Sequence, residues 1–153
     1  GRVRDPPPLL KVVLDASGRT SPDARFRTTP GRSVVATIDP TGPRLREALG
    51  DRALVMECGP GPLVDLPTLM GRLVDMDVSR LMVEGGGETL WSFLSQGLVD
   101  ECSVYVGPMV IGGWGAPTPA DGPGAQDPDQ VVRLELLSVE RLGEGLLMRY
   151  RAV

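Results

Sequence analysis

The N-terminal half of the sequence alternates short apolar runs with turn-forming residues. Three apolar runs bounded by Pro, Gly or Asp, the first of them rich in β-branched residues, predict buried strands over residues 9–14, 33–38 and 53–58. Residues 43–49 predict a short helix, with proline at its start and Gly50 past its end. Asp65 is the expected N-cap of a second helix. Strands alternating with helices indicate an α/β fold.

The C-terminal half begins with the same pattern and then changes to paired strands. Its pattern predicts five features in turn: a strand over residues 80–84, a glycine turn and a helix over 88–96, a strand over 99–110 interrupted at Gly107, a long loop over 111–130, and an antiparallel hairpin over 131–139 and 146–150. We therefore expect an α/β domain with a mixed sheet flanked by helices and a C-terminal antiparallel hairpin. No internal repeat or linker divides residues 1–153, which predicts one domain.

Composition excludes several classes of function. A content of 41% hydrophobic and 24% charged residues is typical of a globular protein. The sequence contains no histidine, which excludes a histidine triad, a histidine base and a histidine-ligated metal site from this chain. The net charge of -4 argues against broad binding to nucleic acid or to an anionic membrane.

The cysteines and the apolar stretches bear on the compartment. Cys58 and Cys102 are isolated in the sequence, which favours two reduced thiols in a cytoplasmic protein over one disulfide. Residues 1–11 are charged and proline-rich where a signal peptide needs an apolar core. The uncharged stretch over residues 102–120 is broken by glycine and proline, so we expect no membrane span.

The chemically suggestive segment is LMVEGGGETL, residues 81–90. Glycines between a strand and a helix let backbone approach a ligand, and the N–H groups at the helix start attract an anion such as a pyrophosphate. The segment is neither a GxGxxG fingerprint nor a P-loop. Two interpretations stay open: a phosphate site, and a tight packing turn. Glu88 argues mildly against the phosphate, because its carboxylate would repel one.

Other polar residues give weaker signals. Glu84 ends the predicted strand, where α/β sheets place ligands, but it is as consistent with a carboxylate that caps the glycine turn. Trp114 is interpreted as a lid or as a loop anchor. Arg25, Arg27 and Arg32 form a sparse basic cluster, for which a solvated surface is favoured. Asp121 and Asp127 lack the spacing of a calcium-binding loop.

Five stretches of the sequence carry a resemblance to a known family. They are residues 12–15 with 18–19, residues 64–66, residues 83–87, residues 97–101, and the run from 112 to 124. In this order they resemble the riboflavin-biosynthesis reductase family, and the archaeal form most. That family comprises the archaeal and fungal 2,5-diamino-6-ribosylamino-4(3H)-pyrimidinone 5′-phosphate reductases and the reductase half of the bacterial bifunctional deaminase–reductase.

The resemblance implies a dihydrofolate-reductase-like fold, a homodimer, and hydride transfer from NADPH to a ribosylamino-pyrimidine 5′-phosphate. A hydride supplied by a cofactor also explains why histidine is dispensable. The positions that match the family's cofactor-binding residues are Val64, Gly85, Gly86, Gly87 and Glu88. Glu84 matches the acid that faces the substrate, where we expect it to orient the substrate or relay a proton.

Two departures from the family pattern leave alternatives open. Ala16 stands where the family commonly has serine, so Ser17 substitutes for it or that contact is lost. The family's N-terminal strand–helix segment is absent, so we expect these 153 residues to be the remainder of a longer reductase domain. The alternative functions are a non-catalytic nucleotide-binding or assembly domain of the same fold, and a related reductase acting on another pterin or pyrimidine.

Overall fold

The computed structural model describes residues 9–24 and 30–153. The proline run at residues 6–8 and two members of the basic cluster, Arg25 and Arg27, lie outside the described residues. The chain divides into two compact units, Gly1–Arg80 and Leu81–Val153.

The N-terminal unit is built on a three-stranded parallel sheet. Its strands, in spatial order, are β1 (Lys11–Leu14), β2 (Ser33–Thr37) and β3 (Leu54–Glu57). Val35 of β2 lies opposite Val13 on one side and Val55 on the other. Every residue of β2 is buried, as expected for the central strand of a parallel sheet. All three strands confirm the predicted ones.

Two helices accompany this sheet. Helix α1 (Gly42–Leu49) buries Leu45 and Leu49 in a core cluster with Val35, Ala53 and Val55. Helix α2 (Leu66–Val74) begins where the sequence predicts, because the Asp65 carboxylate accepts a hydrogen bond from the Thr68 N–H at 2.9 Å. Helix α2 buries Leu66, Leu69 and Leu73, which lie at helical spacing on one of its faces.

The predicted strand over residues 80–84 is wrong. Residues 78–86 adopt no regular secondary structure, and none of the ladders in the described part of the chain includes residues 81–84. A β-branched, apolar sequence favours extended backbone, but a strand also needs a neighbouring row of N–H and C=O groups to pair with. The parallel and antiparallel strands consequently form two separate three-stranded sheets.

The C-terminal unit combines one helix with an antiparallel sheet. Its elements are α3 (Gly87–Ser95), β4 (Glu101–Val106), β5 (Leu134–Leu142) and β6 (Gly145–Ala152). The spatial order of the strands is β4-β6-β5, with β6 antiparallel to both neighbours. Gly97, at φ 66°, follows α3 as the predicted stop. The hairpin of β5 and β6 is confirmed, and β4 ends just before Gly107.

The antiparallel sheet has one apolar and one polar face. Residues paired across strands share a face. The apolar face consists of Cys102, Val104, Val106, Leu134, Leu136, Val139, Arg141, Leu146, Met148, Tyr150 and Ala152. On the polar face, Glu140 pairs with Arg149 at 2.8 Å and Glu135 with Arg151 at 3.5 Å. Several apolar-face side chains, Leu136, Val139 and Leu146 among them, remain about half exposed.

The α/β class and the C-terminal antiparallel hairpin agree with the sequence, but the expected single mixed sheet is wrong, because the parallel and the antiparallel strands form separate sheets. Cys58, which is buried, and Cys102 are both free thiols, as expected. Among the described residues, the helices are too short and too polar for any to cross a bilayer.

Candidate functional site

Helix α3 starts at the glycine turn, which we define as residues 85–87. Gly86 is its N-cap, and its carbonyl accepts the first helical bonds, from Thr89 N at 3.0 Å and Leu90 N at 3.2 Å. The N–H groups of Gly87 and Glu88 precede these bonds and have no carbonyl partner within the helix. Gly86 also has no side chain to cap them. The helix start therefore offers N–H groups and the positive end of a helix dipole to an anion.

The three glycines of the turn differ in what surrounds them. A methyl group on Gly87 would meet the backbone nitrogen and the carboxyl carbon of Asp121 at 2.5 Å, so packing requires glycine there. On Gly85 it would make ordinary contact with Thr89 at 3.4 Å. On Gly86, whose φ is -64°, it would meet nothing within 4 Å. The packing interpretation explains Gly87, but the protein's own packing gives no reason for glycine at Gly86.

Asp121, from the long loop, packs against the glycine turn. Its carboxylate packs against Gly87 and accepts a hydrogen bond from the Thr118 backbone N–H at 3.3 Å and another from the Thr118 hydroxyl. The long loop is thereby fixed against the glycine turn at residues 118–121. The lack of calcium-loop spacing at Asp121 carries no information about this packing contact. The signal that pointed to Asp121 was its place in the last of the five family stretches.

Five of the six predicted site residues, residues 84–88, are consecutive in the chain and lie at the start of α3. Glu84 is exposed directly before the glycine turn, and Glu88 is exposed in the first turn of α3. Because residues 80–84 form no strand, the sheet-edge argument for Glu84 does not hold, and its position rests on the adjacent turn. Val64 belongs to the N-terminal unit, where it is half-buried beside the N-cap Asp65. Within the described residues, no cluster of three or more Cys, Asp or Glu is placed to hold a metal ion.

A second polar cluster lies in the N-terminal unit, at the carboxyl end of β1. The buried Asp15 carboxylate accepts hydrogen bonds from Thr20 N at 2.7 Å, Thr20 Oγ1 at 2.6 Å and Arg19 N at 3.0 Å. With Val13 and Leu14, these residues line an open depression of about 350 Å³. Ligands of α/β proteins commonly bind at the carboxyl ends of parallel strands.

The loop after Asp15 is held by helix α1. Arg44 donates to the carbonyls of Ser17 at 2.8 Å and Gly18 at 3.0 Å, and Thr41 donates to that of Ala16 at 2.9 Å. The Ser17 hydroxyl donates to Asp15 at 3.3 Å and accepts from Arg19 Nε at 2.9 Å. A hydroxyl group is thus present beside Asp15 although Ala16 lacks one. Whether Ser17 replaces the family's serine contact stays a prediction.

Asp15 is expected to stabilise the fold at neutral pH. Burial raises the pKa of Asp15, but the Thr20 hydroxyl and the backbone N–H groups of Arg19, Thr20 and Gly18 outweigh it and leave the pKa below its ordinary value. A lowered folded-state pKa contributes stability above the unfolded value of about 3.9. This stability is lost as the pH falls through the folded-state pKa.

We expect Asp15→Asn to lower the free energy of unfolding at pH 7 by about 1–3 kcal/mol, because buried donors lose their charged acceptor. The loss should shrink as the pH falls below about 4, because the unfolded chain then binds a proton at Asp15 before the folded protein does. Urea unfolding at pH 7 and pH 3 measures both effects, with Asp51→Asn at an exposed position as the control. Equal stability of Asp15→Asn and the unmodified protein at pH 7 would contradict this role.

These features define an α/β domain with a candidate anion site at a helix N-terminus. The chain belongs to the RibD C-terminal domain family, whose model matches residues 2–148. It is 38% identical over 141 residues to the 2,5-diamino-6-ribosylamino-4(3H)-pyrimidinone 5′-phosphate reductase of Methanothermobacter thermautotrophicus, with 92% of this chain and 65% of the relative covered. It is 33% identical over 148 residues to the protein of the same name from Archaeoglobus fulgidus, with 97% and 64% covered.

A solved structure agrees in fold. The diaminohydroxyphosphoribosylaminopyrimidine deaminase/5-amino-6-(5-phosphoribosylamino)uracil reductase of Thermotoga maritima superposes with a TM-score of 0.74 at 18% identity. The superposition covers 99% of this chain and 40% of that protein. This chain spans slightly less than two thirds of the length of the archaeal relatives.

Proposed function

We propose that this chain carries the NADPH-dependent reduction of a ribosylamino-pyrimidine 5′-phosphate to its ribitylamino form, a step of riboflavin biosynthesis. The observation that carries the proposal is the glycine turn at the start of α3, where Gly86 is glycine without a packing reason. Support also comes from the archaeal relatives, which are named reductases of such a compound. In this proposal the enzyme is a cytoplasmic oxidoreductase.

The residues at the turn fit the diphosphate of a dinucleotide. A phosphate needs close approach to backbone N–H groups, and the open space beside Gly86 permits it. The N–H groups of Gly87 and Glu88 are the donors. Glu88 contributes its backbone, and its exposed side chain is free to turn toward solvent, so the negative charge that stays beside the helix start is the Asp121 carboxylate packed against Gly87. We assign Val64 as an apolar contact of the same cofactor, on the family resemblance.

In the proposed mechanism the protein's own groups position the reactants and handle the proton that accompanies reduction. When bound, NADPH supplies a hydride for the substrate. Glu84, exposed immediately before the phosphate-binding turn, orients the substrate or relays the proton that accompanies reduction. The amides at the start of α3 fix the phosphates, so binding energy serves to hold the reactants in a defined geometry.

We further propose that both units belong to one reductase domain and that the protein is a homodimer. The family model runs across both units without interruption, which supports a single domain. The apolar face of the antiparallel sheet supports self-association, because its half-exposed side chains form a surface almost without charge.

The test is NADPH oxidation, followed at 340 nm, with the ribosylamino-pyrimidine 5′-phosphate as substrate and product identified by mass spectrometry. The proposal predicts that each NADPH oxidised yields one ribitylamino product. NADPH binding without oxidation would instead identify a non-catalytic nucleotide-binding domain. Oxidation only with another pterin or pyrimidine would identify a related reductase.

A further inference from the structure

An uncharged loop with exposed apolar side chains precedes the Thr118–Asp121 anchor. We call residues 107–117 the apolar loop. Val110 exposes 98% and Ile111 89% of its surface, Met109 exposes 72%, and Trp114 is fully exposed. Large apolar side chains grouped on a surface mark a place where something binds. The sequence left Trp114 as a lid or a loop anchor, and full exposure excludes the anchor.

The apolar loop is fixed at both ends and free between them. At its start, β4 is paired through Val106 with Leu146. Inside the loop, Gly112 and Gly113 have φ values of 70° and 108°, and a methyl group on either would meet nothing within 4 Å. The backbone hydrogen bond within the loop, from Ala116 N to Gly113 O, is long at 3.3 Å. Two unpacked glycines with positive φ make a flexible joint directly before Trp114.

The C-terminal end of the loop is tied to the glycine turn. Thr118 is hydrogen bonded to Asp121, whose carboxylate packs against Gly87. Trp114 and Thr118 are four positions apart in the chain, so their Cα atoms lie no more than roughly 14 Å apart in any conformation. Trp114 therefore stays within about 14 Å of the Thr118 anchor however the loop moves.

We propose that the apolar loop is a lid that closes over a dinucleotide bound at the glycine turn, with Trp114 covering one of its aromatic rings. The inference rests on the proposed function, since the dinucleotide is its ligand. An indole ring stacks well on a planar heterocycle, and an apolar cover excludes water from a hydride-transfer site. Because the loop is anchored to the glycine turn through Thr118 and Asp121, a dinucleotide bound at that turn is favoured as the partner of Trp114 over a second copy of the chain.

Two single-tryptophan proteins test the lid, because the chain has only two tryptophans. Trp91→Phe leaves Trp114 as the reporter, and Trp114→Phe leaves Trp91, which lies on α3 close to Gly122. Acrylamide quenching is measured with and without saturating NADP+, whose binding is followed separately by calorimetry. We expect NADP+ to lower the quenching constant of Trp114 about threefold or more and to shift its emission to shorter wavelength. The quenching of Trp91 should stay nearly unchanged.

The other outcomes separate the two proposals. NADP+ binding with Trp114 as accessible as before overturns the lid and leaves the reductase proposal intact. No NADP+ binding by the unmodified protein overturns both. If acrylamide quenching of Trp114 falls as the protein concentration rises and does not change when NADP+ is added, Trp114 is covered by a second copy of the chain. That result also overturns the lid.

Affinity gives an independent readout of the same proposal. Trp114→Ala should weaken NADP+ binding about tenfold, and Trp114→Phe should restore most of the affinity because phenylalanine keeps an aromatic face. Equal affinity of all three proteins would contradict a covering role for Trp114.

Discussion

We expect the Glu84→Gln protein to reduce its substrate more slowly by roughly 10²-fold or more, within the range for loss of a positioned acid or base. Glutamine keeps the size of the side chain but carries no charge and transfers no proton. Glu84 is exposed and no described hydrogen bond depends on it, so the fold should be unaffected. Steady-state kinetics at saturating NADPH measures the effect.

The matched control is Glu144→Gln, which removes an exposed carboxylate from the hairpin turn between β5 and β6. Its turnover should equal that of the unmodified protein. If Glu84→Gln also retained full turnover with normal substrate affinity, the assignment of Glu84 would be wrong.

The second large effect concerns stability. Gly87→Ala should lower the free energy of unfolding by about 1–3 kcal/mol or more, the usual cost of an oversized group in a packed site. The added methyl group would meet the backbone nitrogen of Asp121, which side-chain rotation cannot move away. Thermal and urea unfolding measure the loss.

Gly86→Ala, one residue earlier, is the comparison for stability. Its methyl group meets nothing, and its φ of -64° suits alanine. Alanine is a poorer N-cap than glycine but also restricts the unfolded chain, so the change should stay within about 1 kcal/mol. Similar destabilisation by Gly86→Ala and Gly87→Ala would show that the two positions are not packed as described.

The sequence predicted elements whose signals are local. The centre of strand β2, residues 34–36, is apolar because the whole strand is buried, and α2 begins at Asp65 because a short carboxylate there reaches the Thr68 N–H. The hairpin of β5 and β6 followed from alternation around a glycine-containing turn. Each of these features depends on residues close together in the chain.

Features that depend on a distant partner were not predictable in this way. Residues 81–84 have strand composition, but no ladder partner among the described residues pairs with them. The packing of Asp121 on Gly87 joins residues 34 positions apart, and periodicity carries no signal for such a contact. For the same reason, the sequence alone did not show that Gly87 is packed against Asp121 while Gly86 has open space beside it.

If the glycine turn binds the phosphates of NADPH, the Gly86→Ala protein should bind NADPH more weakly, which calorimetric titration measures. Gly71→Ala is the control, since Gly71 also has free space around it but lies on α2. We expect Gly86→Ala to fold normally and to bind NADPH about tenfold or more weakly, because the methyl group occupies the space of a phosphate, while Gly71→Ala binds with unchanged affinity. An unchanged affinity for NADPH in a correctly folded Gly86→Ala protein would contradict phosphate binding at the glycine turn.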